Sequence, residues 1–301
     1  MKKPALCVIL FALALPLAAA QAEVGHLRYA APQILPDLNV PFADMMRDMP
    51  ASPENRLGSP RLRPNVVLEG SEPGFVLPIV GSTPASGGLY FRSETVIVNR
   101  RNIAQNVAVY YFPFGGGATN CTRPAKLVQM AAQTWYFWGD FVSDFIGTSG
   151  LGAVIVLGVT PSGSVDSGAQ VDGNSRIWTP QPGTLGTTSQ NFPSVSLMMP
   201  AGPQSSFGLR SDEFYRSNYG IFNYDVTART FDITANGLRG QQSLSVTVDA
   251  CSAILTLLPG GPYGSYELVV SARDGRAFYF SYGSSVDNAT GDSWSVIGRS
   301  F

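Results

Sequence analysis

From Phe75 onward the chain is a succession of short apolar or alternating runs broken by glycine, serine and proline. "TVIVN", "NVAVYYF", "AVIVLGV", "SVSLMM", "YGIFN", "TFDITA", "LSVTV", "YELVVSA" and "AFYFSYG" are each strand-sized, rich in β-branched and aromatic residues, and closed by turn formers. In "NVAVYYF" a period of two sends Val107, Val109 and Tyr111 to one face and Ala108, Tyr110 and Phe112 to the other. No amphipathic segment is long enough to cross over between parallel strands, so the pattern predicts an all-β, antiparallel fold. One short helix is expected at 140–146, "DFVSDFI".

Before Phe75 the pattern is different. Prolines at 32, 36, 41, 50, 53, 60, 64 and 73 interrupt any sustained period, which predicts a largely irregular arm over 23–74. Within it "VPFADMMRDMP" allows one or two helical turns between Pro41 and Pro50, with Phe42, Met45, Met46 and Met49 as an apolar docking patch. Residues 1–22 read as a signal peptide: two lysines, an apolar run from Ala5 to Ala19, and Ala20-Gln21-Ala22 before the expected cut. That run is shorter than the roughly 20 residues a bilayer demands, and no later run is long enough. The expectation is a secreted, periplasmic or surface protein without membrane insertion. Cys7 precedes most of the apolar run, where a lipid-anchored cysteine would follow it.

A repeat organises the β region. "YFRSETVIVN" (90–99) and "FYRSNYGIFN" (214–223) align without a gap, so Arg92, Ser93, Ile97 and Asn99 recur as Arg216, Ser217, Ile221 and Asn223. Downstream, "VDGNSRIW" (171–178) and "VDNATGDSW" (286–294) extend the match with a change of offset that loops absorb. Two copies of one β module, 75–200 and 201–301, explain the repetition. Seven or eight strands in each copy suit a β-sandwich of the immunoglobulin size class. The "FRS…VN" and "YRSNYGIFN" strands, "GTSGLGAVIV" and "YGSSVDNATGD" resemble a group of uncharacterised secreted bacterial proteins with tandem Ig-like sandwiches. That resemblance implies a fold and an extracellular or surface location, and no catalytic residue.

Charge and composition narrow the chemistry. Removing 1–22 leaves 18 basic against 21 acidic side chains, which argues against nucleic acid. Lys126 is the one lysine left, and the residue before it is Ala125, so no phosphate-binding P-loop is present. The single histidine, His26, stands four residues into the mature chain, a poor place for a catalytic base. There is no G-x-S-x-G and no G-x-G-x-x-G. Asp140 and Asp144 are the paired acids a glycosidase could use, and solvated helix acids are the commoner occurrence. No cofactor is expected.

Cys121 and Cys251 remain, and two readings stand: a disulfide across 130 positions, or free thiols acting as small hydrophobes. With one histidine they cannot fill a four-ligand zinc site without carboxylates. Asp287, Asn288, Thr290 and Asp292 offer oxygens suited to calcium, but the spacing departs from the EF-hand, and a hydrogen-bonded turn is the alternative. Asn120-Cys121-Thr122 and Asn288-Ala289-Thr290 fit the glycosylation sequon. Arg92 and Arg216 could clamp an anion, but a position present in both copies reads first as a fold requirement. Asn99 and Asn223 suit turn backbone at strand ends.

The run "TWYFW" carries the binding expectation, with Trp135, Tyr136 and Trp138 as contacts for a glycan or another surface protein. Alternation places Trp135 and Phe137 on one face and Tyr136 and Trp138 on the other, so one pair belongs to the core. The functional expectation is a secreted or surface structural and binding module without catalysis. A carbohydrate-active enzyme or hydrolase accessory domain is the alternative. An outer-membrane barrel is the distant third, disfavoured by Arg299 within the last strand before Phe301.

Overall fold

The structure, a computed structural model, describes residues 27–48, 73–85, 88–181, 183, 185–197, 202–275 and 277–300. The expected signal peptide at 1–22, His26 and Met49 lie outside the described residues. In chain order come β1 (Arg28–Tyr29), β2 (Gln33–Leu38), helix α1 (Phe42–Asp48), β3 (Gly74–Pro84), β4 (Tyr90–Asn99), β5 (Gln105–Pro113) and β6 (Ala125–Met130). There follow β7 (Thr134–Trp138), β8 (Gly150–Val159), β9 (Val171–Pro180), β10 (Thr187–Pro193), β11 (Val195–Ser196) and β12 (Gln204–Ser211). The last are β13 (Tyr215–Asn223), β14 (Arg229–Gly237), β15 (Gly240–Val248), β16 (Ser252–Leu257), β17 (Gly264–Ala272), β18 (Tyr279–Asp287), β19 (Ser293–Ile297) and β20 (Arg299–Ser300). The chain is predominantly β and sandwich-like, as the alternation requires.

The nine strands β3–β11 and the nine strands β12–β20 pair in the same order. β3 pairs β8 and β11, β5 pairs β6 and β8, β4 pairs β7 and β9, and β9 pairs β10. Likewise β12 pairs β17 and β20, β14 pairs β15 and β17, β13 pairs β16 and β18, and β18 pairs β19. Among the described residues, the two sheets of the first set are joined only where β3 leads into β4, through Ser82–Arg92, Thr83–Phe91 and Pro84–Tyr90. The registers place Asn99 opposite Thr134 and Val171, and Asn223 opposite Ser252 and Tyr279.

That register corrects the second half of the sequence alignment. Val171 opens β9 beside Asn99, whereas Val286 lies next to last in β18, beside Arg216. The counterpart of Val286 is Trp178, which also faces its arginine, Arg92. The shared Val-Asp dipeptide is a coincidence of two different strand ends.

Three hydrophobic cores separate four layers. Between the two sheets of the first set lie Leu77, Val107, Val109, Val154 and Val156, facing Ile97, Trp138 and Val171. Between the two sheets of the second set lie Leu209, Phe231, Ile233 and Val270, facing Tyr219, Ile221 and Tyr279. The third core joins the sets: Ala108, Tyr110, Phe112, Ile155 and Leu157 meet Phe222, Ala253, Phe280 and Tyr282. The strand "NVAVYYF" is apolar on both faces because each face of β5 is covered. Cys121 and Cys251 flank this third core and form a disulfide, with Cα atoms 5.3 Å apart. Buried Asn120 strengthens the same seam, its Nδ2 donating to the Cys251 carbonyl at 3.0 Å.

The expected irregular arm is, over 27–48, two strands and a helix. β2 adds antiparallel to the edge of β6, with its register broken between Leu35 and Leu38. Pro36 falls inside that break, where an edge strand tolerates a missing donor. α1 lays Phe42 and Met45, both essentially inaccessible, against Tyr110 and Phe112 at ring distances of 5.4 and 4.9 Å from Phe42. The apolar patch read from the sequence thus docks within the chain, as a cover for the third core. The expected helix at 140–146 is a single π-helical turn, Val142–Ile146, closed by Gly147 at φ 78°. Among the described residues no helix is long and apolar enough to cross a membrane.

Candidate functional site

The two asparagines of the repeated motif are structural twins. Asn99 is wholly buried; its Nδ2 donates to the carbonyls of Ile103 (2.9 Å), Met130 (3.4 Å) and Ala131 (2.7 Å), and its Oδ1 accepts from Arg101 N (3.0 Å). Asn223 is wholly buried too; its Nδ2 donates to Thr227 (2.9 Å), Val248 (3.1 Å) and Asp249 (2.9 Å), and its Oδ1 accepts from Asp225 N (3.2 Å). Each amide pins the end of one hairpin to the turn before the next strand, so both residues serve the scaffold. The serines act across the layers: Ser93 Oγ accepts from Gly81 N at 2.6 Å, and Ser217 Oγ donates to the Arg210 carbonyl at 2.6 Å.

The arginines of the motif are engaged differently. Arg92 lies with its guanidinium 5.0 Å from the Tyr90 ring and 5.9 Å from Trp178, and its Nε is 3.6 Å from Asp140. Arg216 donates to Asn288 Oδ1 at 3.0 Å. Asp140, one of the two candidate acids, also accepts from Ser82 Oγ at 2.9 Å and from Ser143 N at 3.4 Å, where it caps the π-helical turn. Asp144 stands exposed one turn on.

The candidate calcium loop closes on itself. Asp287 Oδ1 accepts from the backbone N–H groups of Ala289 (2.7 Å) and Thr290 (2.9 Å), which hold this carboxyl below its usual range. Asp292 N donates to Thr290 Oγ1 at 3.1 Å, and Asn288 is taken up by Arg216. Among the described residues no three His, Cys, Asp or Glu side chains converge.

The "TWYFW" run divides as alternation requires. Trp138 is buried and packs on Phe141 and Phe145, at ring distances of 5.4 and 5.0 Å. Tyr136 is half-buried, edge-on to Trp138 at 4.7 Å, against the same core. Trp135 and Phe137 face outward, Phe137 being 40% exposed. The expected trio is therefore split: Trp138 belongs to the core and cannot be a surface contact. In its place stands Tyr29, 60% exposed and edge-on to Trp135 at 5.0 Å, brought there by the parallel pairing of β1 with β7. Two residues of parallel pairing leave no periodic signal, so Tyr29 was invisible in the sequence; Phe137 was legible from alternation. The outer face continues into Val96 and Val98, which lie beside Phe137 and Trp135 on β4, and reaches Asp172 on β9. Asp172 would be raised by burial, but hydrogen bonds from Arg100 (2.7 Å), Ser194 (2.9 Å) and Gly173 N (2.7 Å) outweigh that and lower it.

The position of this face gives it meaning. Its counterparts across the repeat are Phe222 for Val98, Ala253 for Trp135 and Phe280 for Asp172. Those residues are buried in the third core. The first set thus presents outward the sheet face that the second set buries. An open hollow of about 390 Å³ lined by Phe207, Asn236, Leu238, Tyr266 and Glu267 lies on the sheet of β12, β14 and β17, at the opposite end of the layers. Its one acid is already bound, Glu267 accepting from Ser205 Oγ at 2.5 Å.

No protein-family model matches the chain, and no curated protein is significantly similar to it.

Proposed function

We propose that the protein is a secreted or cell-surface structural and binding module, built of two tandem Ig-like sandwiches at 75–200 and 201–301 and without catalysis. The shared pairing order of β3–β11 and β12–β20 supports the two-module reading. One observation carries the binding assignment. The sheet face around Tyr29, Trp135 and Phe137 is aromatic and open, while its counterpart in the second module is covered by another sheet. Aliphatic Val96, half-buried beside Phe137, favours a protein surface over a sugar. Asp140 is occupied in capping and in holding Arg92, which favours a structural over a hydrolytic role. The described strands form open sheets around filled cores, which favours a soluble module over a membrane barrel.

The test uses purified residues 23–301 against a glycan array and against proteins of the producing cell's envelope. Trp135→Ala with Phe137→Ala should abolish the binding that slows amide hydrogen exchange at residues 134–138 while the protein stays folded, and Asp140→Ala should leave it unchanged. Binding at 134–138 that survives the double variant contradicts the assignment. Turnover in a hydrolase screen that disappears in Asp140→Ala or Asp144→Ala would replace it with the enzyme reading.

A further inference from the structure

The segment before β3 contributes two strands, and both go to edges of the first set. β2 adds antiparallel to β6, and β1 adds parallel to β7. In the second set the corresponding edges are β15 and β16, and among the described residues each pairs on one side only. β15 is the longer and the more open. Counted from Asn99 and Asn223 and the β5–β6 and β14–β15 registers, Val246 stands where Val128 stands and Leu244 where Lys126 stands.

Three properties make β15 receptive. It runs nine residues, Gly240–Val248, in unbroken register with β14. It holds no proline and no charged side chain: "GQQSLSVTV". Its core-side residues Gln242, Leu244 and Val246 are half-buried, so an added strand would complete the cover of the core beneath them. Lysines, prolines and bulges are the devices by which proteins keep edges from pairing, and β15 has none. β6, the equivalent edge, carries Lys126 and is already capped.

We propose that β15 is a strand-addition site for an extended segment of a partner polypeptide, uncharged and with apolar side chains at alternate positions. The segment adds antiparallel, as β2 does on β6, with backbone hydrogen bonds giving affinity and the half-buried row of Leu244 and Val246 giving register. The arm's strand β2 is not the occupant. Gln33–Leu38 is held on β6 by its ladder and by Asp37, which pairs with Lys126 at 3.1 Å. Moving to a second molecule would exchange that intramolecular pairing for an intermolecular one, and Leu244 offers Asp37 nothing.

The probe is a labelled synthetic peptide of residues 31–40 carrying Asp37→Ser, titrated into the full disulfide-bonded protein and followed by fluorescence polarisation and amide hydrogen exchange. Binding is expected to slow exchange at residues 240–248 at least tenfold. Methylating alternate peptide nitrogens along one edge should weaken it at least tenfold, and so should Gln241→Lys with Ser243→Lys. Trp135→Ala with Phe137→Ala should leave it unchanged, which separates this site from the aromatic face. Absence of binding at millimolar peptide overturns the proposal. So does protection at 125–130 instead, which would mean the arm's own edge is the exchanging one. Concentration-dependent protection of 240–248 without peptide overturns it as well, since a second copy would then be the occupant.

Discussion

At the residue scale the repeated motif shows which positions a fold can spare. Asn99 and Asn223 each bond three carbonyls through one wholly buried amide, at Ile103, Met130 and Ala131 and at Thr227, Val248 and Asp249. Replacing either by alanine removes those bonds and should cost about 2–3 kcal/mol, by a similar amount at both sites. Urea unfolding of the two variants checks this; a cost below about 0.5 kcal/mol at either would remove it from the scaffold. Arg92 and Arg216, identical in sequence, have unlike partners because their surroundings are loops and sheet rims, where copies diverge. Gly220 illustrates a different constraint, since a methyl group there would overlap the Tyr282 ring. Gly220→Ala should therefore disturb the third core and lower the unfolding midpoint, while Gly183→Ala, with open space around it, should act only through its φ of 74°.

At the element scale the strands were legible and their covering was not. The period of two in "NVAVYYF" assigned each side chain of β5 to its face, and Asn99 and Asn223 fell at strand ends as read. What the sequence hid was long-range. Apolar residues on both faces of β5 and β8 meant two covers, one of which comes from strands more than a hundred residues beyond β5. The Val-Asp dipeptides misled because a two-residue identity carries no register. The proline pattern of the arm masked β2 because edge strands accept proline at an irregularity. α1 is short and held by packing rather than propensity, so Phe42→Ala should cost about 3–4 kcal/mol and free the helix. Increased proteolysis within 27–48 in that variant would confirm the dependence; unchanged proteolysis and stability would show that the helix is not a cover.

At the scale of the whole molecule the four layers have unlike ends. Ala108, Tyr110 and Phe112, which bind the second set, are replaced across the repeat by Asp232, Thr234 and Asn236. The outer face of β14 is thereby finished in polar groups, with Arg273 bonded to Asp232 at 2.6 Å, while exposed Phe207 and Leu238 stand at the hollow of the same sheet. The near sheet keeps its aromatic face.

The buried tyrosines predict an alkaline limit. Burial pushes Tyr111 and Tyr266 up to about 12 and raises Tyr110, Tyr279 and Tyr282 further. Their folded values exceed the unfolded value of 10.0, so their contribution is complete below that pH and is lost as pH rises. Each tyrosine then removes about 1.4 kcal/mol per pH unit, and tyrosinate absorbance should appear together with cooperative unfolding. Gradual ionisation without unfolding would contradict the burial. The disulfide links the two sets across 130 positions, and Cys121→Ser with Cys251→Ser should cost about 4–5 kcal/mol, read from denaturant unfolding.

The central claim is that the aromatic face of the near sheet binds a partner and the outer face of the far sheet, away from the β15 edge, does not. A photoreactive benzophenone side chain introduced at 137 on the near face, and separately at 269 on the far face, two strands in from β15, tests it in the producing cell. The account predicts a discrete adduct from position 137 that Trp135→Ala removes, and none from position 269; adducts from both faces alike, or none from 137, would contradict it.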